Sequence, residues 1–365
     1  MRAVVFTDPD LPVELLDVDL AAPGPTEVLV DVVAAGVCHS DLHVRQGDWA
    51  LPVPLVMGHE GSGIIREIGA DVTGLAVGDH VVLSWIAPCG TCRQCLAGRP
   101  ARCEIAADVV APGGVLNDGT SRLSMAGRPL HHYLGVSSFA EQAVVPAAGA
   151  IKVRPDAPLD LLCLVGCAVA TGVGAVRNTA AVPPGATVAV IGCGGVGLSV
   201  VQGARLAGAQ RIVAIDVNAD KLDLASALGA TDTLVAGPGG VAAAMEELIP
   251  GGVDFCFDAI GRTSTTEQAI ALLGIGGAAV LVGIPRAGAR AAFEPQLLVD
   301  RDQRILGSNY GGTRPAVDIP AIVDAVMSGD ILLEPMVSAR RPLHEADAAL
   351  RDLAGGAALR QLLVP

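Results

Sequence analysis

The stretch CGTCRQCLAGRPARC carries Cys89, Cys92, Cys95 and Cys103 at the spacing CxxCxxCx7C. Thiols so close in sequence can wrap one tetrahedral ion. Zinc held by four thiolates is a closed structural centre, with no position left for water or substrate, so chemistry must be sought elsewhere. Two disulfides are the competing explanation and need an oxidising compartment. The opening MRAVVFTDPD has no basic segment followed by an apolar core, so secretion is not expected. An odd number of cysteines, nine in 365 residues, is also unlike a small stapled secreted domain. The sequence predicts zinc in this lobe and a cytoplasmic chain.

The other metal-type residues are Cys38 and His39 in GVCHSDLH, His59 and Glu60 in MGHEGSG, and Cys167 in VGCAVATG. They are far apart in sequence. If two cysteines and a histidine among them converge, they form a catalytic zinc arrangement in which three protein ligands leave a place for substrate. Zinc lowers the pKa of a coordinated hydroxyl, which brings alcohol chemistry within reach of neutral pH. Cys167 has a plainer alternative as an inert buried thiol, like Cys163, Cys193 and Cys256.

A third set binds a dinucleotide. TVAVIGCGGVG places Gly192, Gly194 and Gly197 in the pattern GxGxxG, after an apolar run and at the opening of a helix that begins with Gly195 and Val196. The first glycine permits the tight turn, the second lets the backbone approach a pyrophosphate, and the third lets helix pack on sheet. Helix N-terminal amides then face the phosphates. Asp216 ends the next apolar run, where a carboxylate accepts from the adenosine ribose hydroxyls and repels a 2′-phosphate, so NAD is expected. Lys221, one of only two lysines, lies within reach of the same ribose or is simply a solvated helix residue.

These residues need elements to hold them. Before Lys152 the chain reads as short strands broken by Gly and Pro: RAVVF, EVLVDVVAAGV, GSGIIREIG, HVVLSW and FAEQAVV. Between Val182 and about Ile284, the runs TVAVIG, RIVAID, VDFCFDAIG and AAVLVGIP alternate with Ala-rich helical stretches, as in a doubly wound α/β domain. The tail offers a helix at IPAIVDAVMSGD and a strand near QLLVP, expected to pack on the first domain. Residues 104–132, rich in Gly, Pro and Asp, read as a long loop, with His131 and His132 as packing residues. The length suits two domains, no apolar run is long enough for a bilayer, and a net charge of −14 disfavours nucleic acid.

In order and spacing, GHEGSG, CHSDLH, the four-cysteine lobe, GCGGVG, Asp216 and Arg360 together resemble the zinc-containing medium-chain alcohol dehydrogenases over essentially the whole chain. The segment NDGTSRLSMAGRPLHHYLG looks like the branch with the liver-type and glutathione-dependent formaldehyde enzymes. The resemblance implies an α/β protein with a GroES-like β-rich catalytic domain at 1–168 and 310–365, containing the lobe at 89–103, and a Rossmann domain at 169–309. It implies two zinc ions per subunit, NAD, a homodimer, and a small alcohol or aldehyde as substrate.

The same resemblance implies residue roles. Cys38, His59 and Cys167 would ligate the catalytic zinc, with Glu60 behind it as an occasional ligand and Asp41 orienting His59. Ser40 would take the alcohol proton and pass it through the nicotinamide ribose to His43, an imidazole suited to proton shuttling. His39 and Arg360 would contact the pyrophosphate. Trp49, Trp85 and Tyr133 would line the substrate cleft, and Leu134, Ile284 and Asn309 would complete its walls, Ile284 beside the cofactor. Indoles near the zinc favour unbranched primary alcohols or flat aromatic ones. The formaldehyde enzymes bind glutathione through an acidic residue and an arginine, and the corresponding positions here are Trp49 and Ala107.

Reversible oxidation of a primary alcohol to an aldehyde is therefore the expected activity. The alternatives are a thiol-dependent formaldehyde dehydrogenase or aldehyde reductase on the same fold, or a non-catalytic NAD-binding zinc protein.

Overall fold

A computed structural model describes every residue of the chain except Pro238 and Ala357. The chain divides into two units, one built from Met1–Cys167 and Arg314–Pro365, the other from Ala168–Thr313.

The first unit is β-rich. Its main sheet runs Ala150–Lys152, His80–Leu83, Glu60–Ile68, Glu27–Val37, Arg360–Val364, Val337–Pro342, with Gln142–Pro146 also paired to Glu27–Val37. Strand Glu27–Val37 is long and almost wholly buried, as the run EVLVDVVAAGV requires of a central strand. Shifts of register near Leu29/Val30 and Val32/Ala34 bend it against Glu60–Ile68. The tail returns as expected: helix Pro315–Met327 precedes strand Arg360–Val364, which pairs antiparallel with Glu27–Val37. This register sets Gly36 between Glu60 on one side and Leu362 on the other.

The second unit is a six-stranded parallel sheet in the order Asp232–Val235, Arg211–Asp216, Thr187–Ile191, Val253–Asp258, Leu273–Leu281, Arg304–Gly307. Its order reverses at Thr187–Ile191, the point where doubly wound sheets bind dinucleotides. Its four inner strands are the apolar runs read from sequence. The two edge strands, DTLV and RILG, are short and only partly buried, so they carry no continuous apolar run to be recognised there.

Residues 104–132 do not form the open loop expected of them. They hold a helical turn at Ala106–Val110, a hairpin of Leu123–Met125 with Arg128–Pro129, and a strand at His131–His132. Leu116, Leu123 and Leu130 are buried and anchor the segment through contacts too widely spaced to show as periodicity. Among the described residues no single helix is long and apolar enough to cross a membrane.

Candidate active site and metal centres

The register of the central sheet builds the first metal centre. Strand Glu27–Val37 ends at Cys38, and His59 immediately precedes Glu60–Ile68. Because Gly36 pairs with Glu60, these antiparallel ends bring Cys38 and His59 side by side. Cys167 arrives at the end of the helical turn Cys163–Gly166, anchored where the Ser62 hydroxyl donates to the Leu159 carbonyl at 2.5 Å. The donor atoms of Cys38, His59, Glu60 and Cys167 all lie within 4.8 Å of one another, and all four residues are buried. A tetrahedral ion with zinc bond lengths holds its ligands roughly 3.3–3.8 Å apart, a spacing that falls within this limit.

Asp41 sets the centre's orientation. It stands in the first turn of helix His39–Arg45, where an acid complements the helix dipole. One carboxylate oxygen accepts the Cys38 N–H at 2.9 Å, and the other lies 3.2 Å from His59 Nδ1. That leaves His59 Nε2 buried with no hydrogen-bond partner among the described residues, as a nitrogen kept for a metal would be.

The charges make the same point. Cys38 is held well below the usual thiol range, first by the Cys167 thiol donating to it and, after opposition from burial, by His59 and Arg360. Cys167 is pushed well above that range by Cys38 and by burial. Both sulfurs must be thiolates to bind zinc, so a cation placed between them would favour loss of the remaining thiol proton. Burial alone would lower His59, but Asp41 and Cys38 outweigh it and keep its pKa well above the usual range. The donor set therefore fits zinc.

Glu60 faces Arg360. The two form an ion pair inside the protein, with side-chain exposures of 0% and 4%. Burial pushes Glu60 up to about 7 against the pull of Arg360. The sequence pointed Arg360 at a pyrophosphate; in the structure its guanidinium also pairs with Glu60. Gly36 makes room for this pair, since a Cβ there would come within 2.1 Å of Glu60 Oε2 and 3.0 Å of Arg360 Nη2.

Beside the centre, Ser40 Oγ lies 3.8 Å from Cys38 Sγ, and His39 is exposed. His43, on the same helix, has its Nδ1 3.0 Å from Asp48 Oδ2, and its ring stacks on Trp49 with centroids 4.8 Å apart. Asp48 was not anticipated. The helix ends on Gly47 at φ 73°, with Gly47 N–H donating to the Val44 carbonyl and Asp48 N–H to the His43 carbonyl. This is the Schellman arrangement, which folds the second residue past the cap back onto the last turn. An acid directly after the capping glycine was the available signal.

The aromatic residues divide. Trp49, Leu134 and Tyr133 pack in one cluster with Leu42 and Met57, and the Tyr133 ring meets His59 edge-on at 5.3 Å. Trp85 is half-buried against a different core formed by Val28, Val30, Ile65 and Val81. Ile284 and Asn309, both exposed, belong to the second unit. His132 is a packing residue as expected. Its Nε2 accepts the Arg122 N–H at 3.3 Å, and burial lowers it to about 3.

The four-cysteine lobe closes around its own centre. Cys89, Cys92, Cys95 and Cys103 form a second group of converging sulfurs. The N–H groups of Cys89, Cys92, Cys95 and Glu104 donate to Cys103, Cys89, Cys92 and Cys92 respectively, at 3.3–3.5 Å. Burial raises Cys89, but donors on Thr91 and Cys92 outweigh it and bring it down to about 6. Cys95 is pushed up to about 12, by burial first and then by its neighbouring sulfurs. Holding all four as thiolates needs a cation, and four thiolates suit structural zinc.

In the second unit, Gly192 at φ 93° turns strand Thr187–Ile191 into helix Gly195–Leu206. A Cβ on Gly197 would come 1.7 Å from the Gly192 carbonyl oxygen, whereas the space beside Gly194 is open, as a cradle for phosphates must be. Asp216 is fixed at the tip of its strand by N–H donors from Cys193 at 2.7 Å and Asn218 at 2.9 Å. Lys221 lies on the following helix, Ala219–Ala227. The loop, the helix terminus and the fixed carboxylate together fit NAD.

Known proteins share this arrangement. The family model for the alcohol dehydrogenase GroES-like domain matches residues 24–155, and that for zinc-binding dehydrogenases matches 195–327. S-(hydroxymethyl)glutathione dehydrogenase of Escherichia coli O157:H7 is 39% identical, with 99% of each chain covered. Among solved structures, an alcohol dehydrogenase zinc-binding domain protein from Burkholderia ambifaria superposes with a TM-score of 0.95 at 38% identity, covering 100% of this chain and 98% of that one. Benzyl alcohol dehydrogenase from Acinetobacter calcoaceticus follows at 0.94 and 36%, with the same coverage. With its metal clusters and dinucleotide fingerprint in place, the chain belongs to the zinc-containing medium-chain alcohol dehydrogenases, a family of NAD-dependent oxidoreductases.

Proposed function

We propose that this enzyme reversibly oxidises primary alcohols, aliphatic or aromatic, to aldehydes. The reading rests on one observation: the buried Cys38, His59, Cys167 cluster has Ser40 beside it and an acid-held His43 on the same helix. Zinc bound there would polarise the substrate oxygen, and NAD would accept the hydride. Ser40 receives the alcohol proton, and His43 delivers it to solvent. Asp48 takes the Nδ1–H of His43, which leaves Nε2 as the proton-accepting nitrogen. Glu60 and Arg360 back the metal ligands from inside the sheet, and Asp41 fixes His59. His39 and Lys221 are assigned to the cofactor's phosphates and ribose, and Ile284 and Asn309 to the walls.

Trp49, Tyr133 and Leu134, packed in one cluster, make a flat and narrow wall that suits unbranched or aromatic alcohols. The similarity to a benzyl alcohol dehydrogenase supports the aromatic part of this range.

A second reading, thiol-dependent oxidation of formaldehyde, is favoured by the 39% identity to S-(hydroxymethyl)glutathione dehydrogenase. Trp49 and the exposed Ala107 offer no ionic grip on a glutathione adduct, and the acid next to Trp49, Asp48, is engaged by His43.

A homodimer is supported by the edge strand Arg304–Gly307 and by exposed Leu297 and Val299 just before it. The four-thiolate lobe suits a reducing cytoplasm.

The test follows NAD reduction with ethanol, longer primary alcohols, benzyl alcohol and secondary alcohols, and with formaldehyde plus glutathione, before and after chelation. Chelator-sensitive turnover of primary alcohols is expected. Turnover confined to formaldehyde with thiol would establish the second reading instead.

A further inference from the structure

Two neighbours hold the ring of His43. Helix His39–Arg45 runs out in the sequence HVRQGDW, where Gly47 at φ 73° turns the chain back and sets Asp48 and Trp49 beside the last turn. Asp48 meets the edge of the imidazole, with Oδ2 3.0 Å from Nδ1. Trp49 covers its face, with ring centroids 4.8 Å apart and an interplanar angle of 25°.

The hydrogen bond alone would hold the imidazole poorly. The His43 and Asp48 side chains are 27% and 25% exposed, so water competes for the bond. The torsion that turns a histidine ring is broad and roughly two-fold, which leaves a ring with one bond free to rock about it and to exchange its outward-facing nitrogen. A contact on the ring face stops that rotation. The indole is the stiffer body of the two, since Trp49 is half-buried against the cluster that contains Leu42, Leu55, Met57 and Tyr133.

We propose that Trp49 is a positioning residue of the proton relay. Its indole face stops the rotation of His43, so that Nδ1–H stays on Asp48 while Nε2 takes the alcohol proton and passes it to water. The imidazole is neutral before and after each turnover, and the indole exchanges no proton. This inference rests on the primary-alcohol reading with its path through Ser40 and His43. It gives Trp49 an effect on the chemical step that is separate from its place in the cleft wall.

The experiment follows NADH formed in a single turnover at saturating NAD, with ethanol as the smallest alcohol and benzyl alcohol as a bulky one. Wild type is compared with Trp49→Leu, Trp49→Phe, His43→Gln and the Trp49→Leu/His43→Gln double variant, each holding two zinc ions per chain. In Trp49→Leu the rate falls about fivefold on both alcohols, whereas Trp49→Phe, which keeps a stacking ring, stays within about twofold of wild type. Added imidazole restores part of the loss. In the His43→Gln background, Trp49→Leu costs nothing more, because it acts through the missing ring. A second readout is independent of turnover. In NMR spectra of the histidine-labelled holoenzyme, the His43 ring protons, identified by their disappearance in His43→Gln, lie upfield under the indole. They lose that shift in Trp49→Leu and keep much of it in Trp49→Phe. A loss confined to benzyl alcohol, or weaker saturation at an unchanged rate, would leave Trp49 as a wall alone and overturn the proposal. Additive losses in the double variant, or His43 signals unmoved by Trp49→Leu, would overturn it too. A wild type inactive on both alcohols, or a His43→Gln variant that keeps the wild-type rate, would instead strike the relay reading beneath the proposal and remove both, a separate outcome.

Discussion

Replacing Arg360 by methionine tests whether the buried ion pair holds up the metal centre. Arg360 and Glu60 are 4% and 0% exposed, so neither charge can recover hydration when the other is lost. Breaking such a pair from one side costs about 3–5 kcal/mol, because an uncompensated charge stays buried. Removing the remaining charge should restore most of this, since buried pairs are often no more stable than neutral replacements. In Arg360→Met a fall of about 3–5 kcal/mol is therefore expected at pH 8.5, with at least half recovered in the Arg360→Met/Glu60→Gln double variant. At roughly 2–4 °C per kcal/mol for a unit of this size, Tm drops by roughly 6–20 °C. The pH dependence has a definite sign. Glu60 is raised from 4.5 to about 7 by burial, so between those values the folded state binds more protons than the unfolded one and stability falls as pH rises. That rise is worth on the order of 3 kcal/mol, and losing Arg360 enlarges it, so the variant is nearer to wild type at pH 5 than at pH 8.5. Urea melts of the four combinations at both pH values provide the measurement. If Arg360→Met lies within about 1 kcal/mol of wild type, or the double variant is no more stable than the single one, the pair does not carry the energy argued here.

Three further changes probe other parts of the structure. Asp48→Ala frees the His43 tautomer and should lower kcat about tenfold or more, with partial recovery in imidazole buffer, while zinc content stays at two per chain; steady-state kinetics across buffer concentration tests this. Asp216→Gly removes the carboxylate that Cys193 and Asn218 amides hold in place, and should raise the preference for NADP over NAD by about tenfold or more in kcat/KM for the two cofactors. His132 is depressed to about 3 by burial, so the unfolded chain takes up the proton first and stability, full above 6.5, is lost as pH falls towards 3. His132→Asn should flatten that acid limb, worth up to about 3 kcal/mol between pH 7 and pH 4, in denaturation curves taken over that range.

Much of the site was legible because its chemistry demands rare residues at rigid spacing. Four cysteines within one short lobe, and glycines placed where a Cβ would strike a carbonyl, leave few alternative explanations. The inner strands of the parallel sheet were equally plain, since burial on both faces writes them as continuous apolar runs. What stayed hidden depends on pairing across long separations or on exceptions to local pattern. The edge strands DTLV and RILG lack the continuous hydrophobicity of their neighbours. Residues 104–132 fold on three scattered leucines, not on a period. Arg360 meets Glu60 only because the last strand docks on Glu27–Val37, a register that no local spacing encodes. Asp48 was closer to hand, since helix, glycine and acid follow one another in HVRQGD, but the cap geometry has to be recognised before the acid can be assigned to His43.

The register itself explains why the ligands can be so far apart in sequence and still form one centre. Cys38 and His59 are the residues where two paired strands begin and end, so their meeting is a consequence of the Gly36–Glu60 pairing. A shift of one residue would turn every side chain on the strand to its opposite face. It would also drive a larger residue into the space that Gly36 leaves for Glu60 and Arg360, since Ala35 and Val37 flank it. The buried pair and the missing Cβ thus oppose the wrong register, while the apolar face of Glu27–Val37 favours the right one. The polar interior that supports the metal ligands is, on this argument, also what fixes the strands that deliver them.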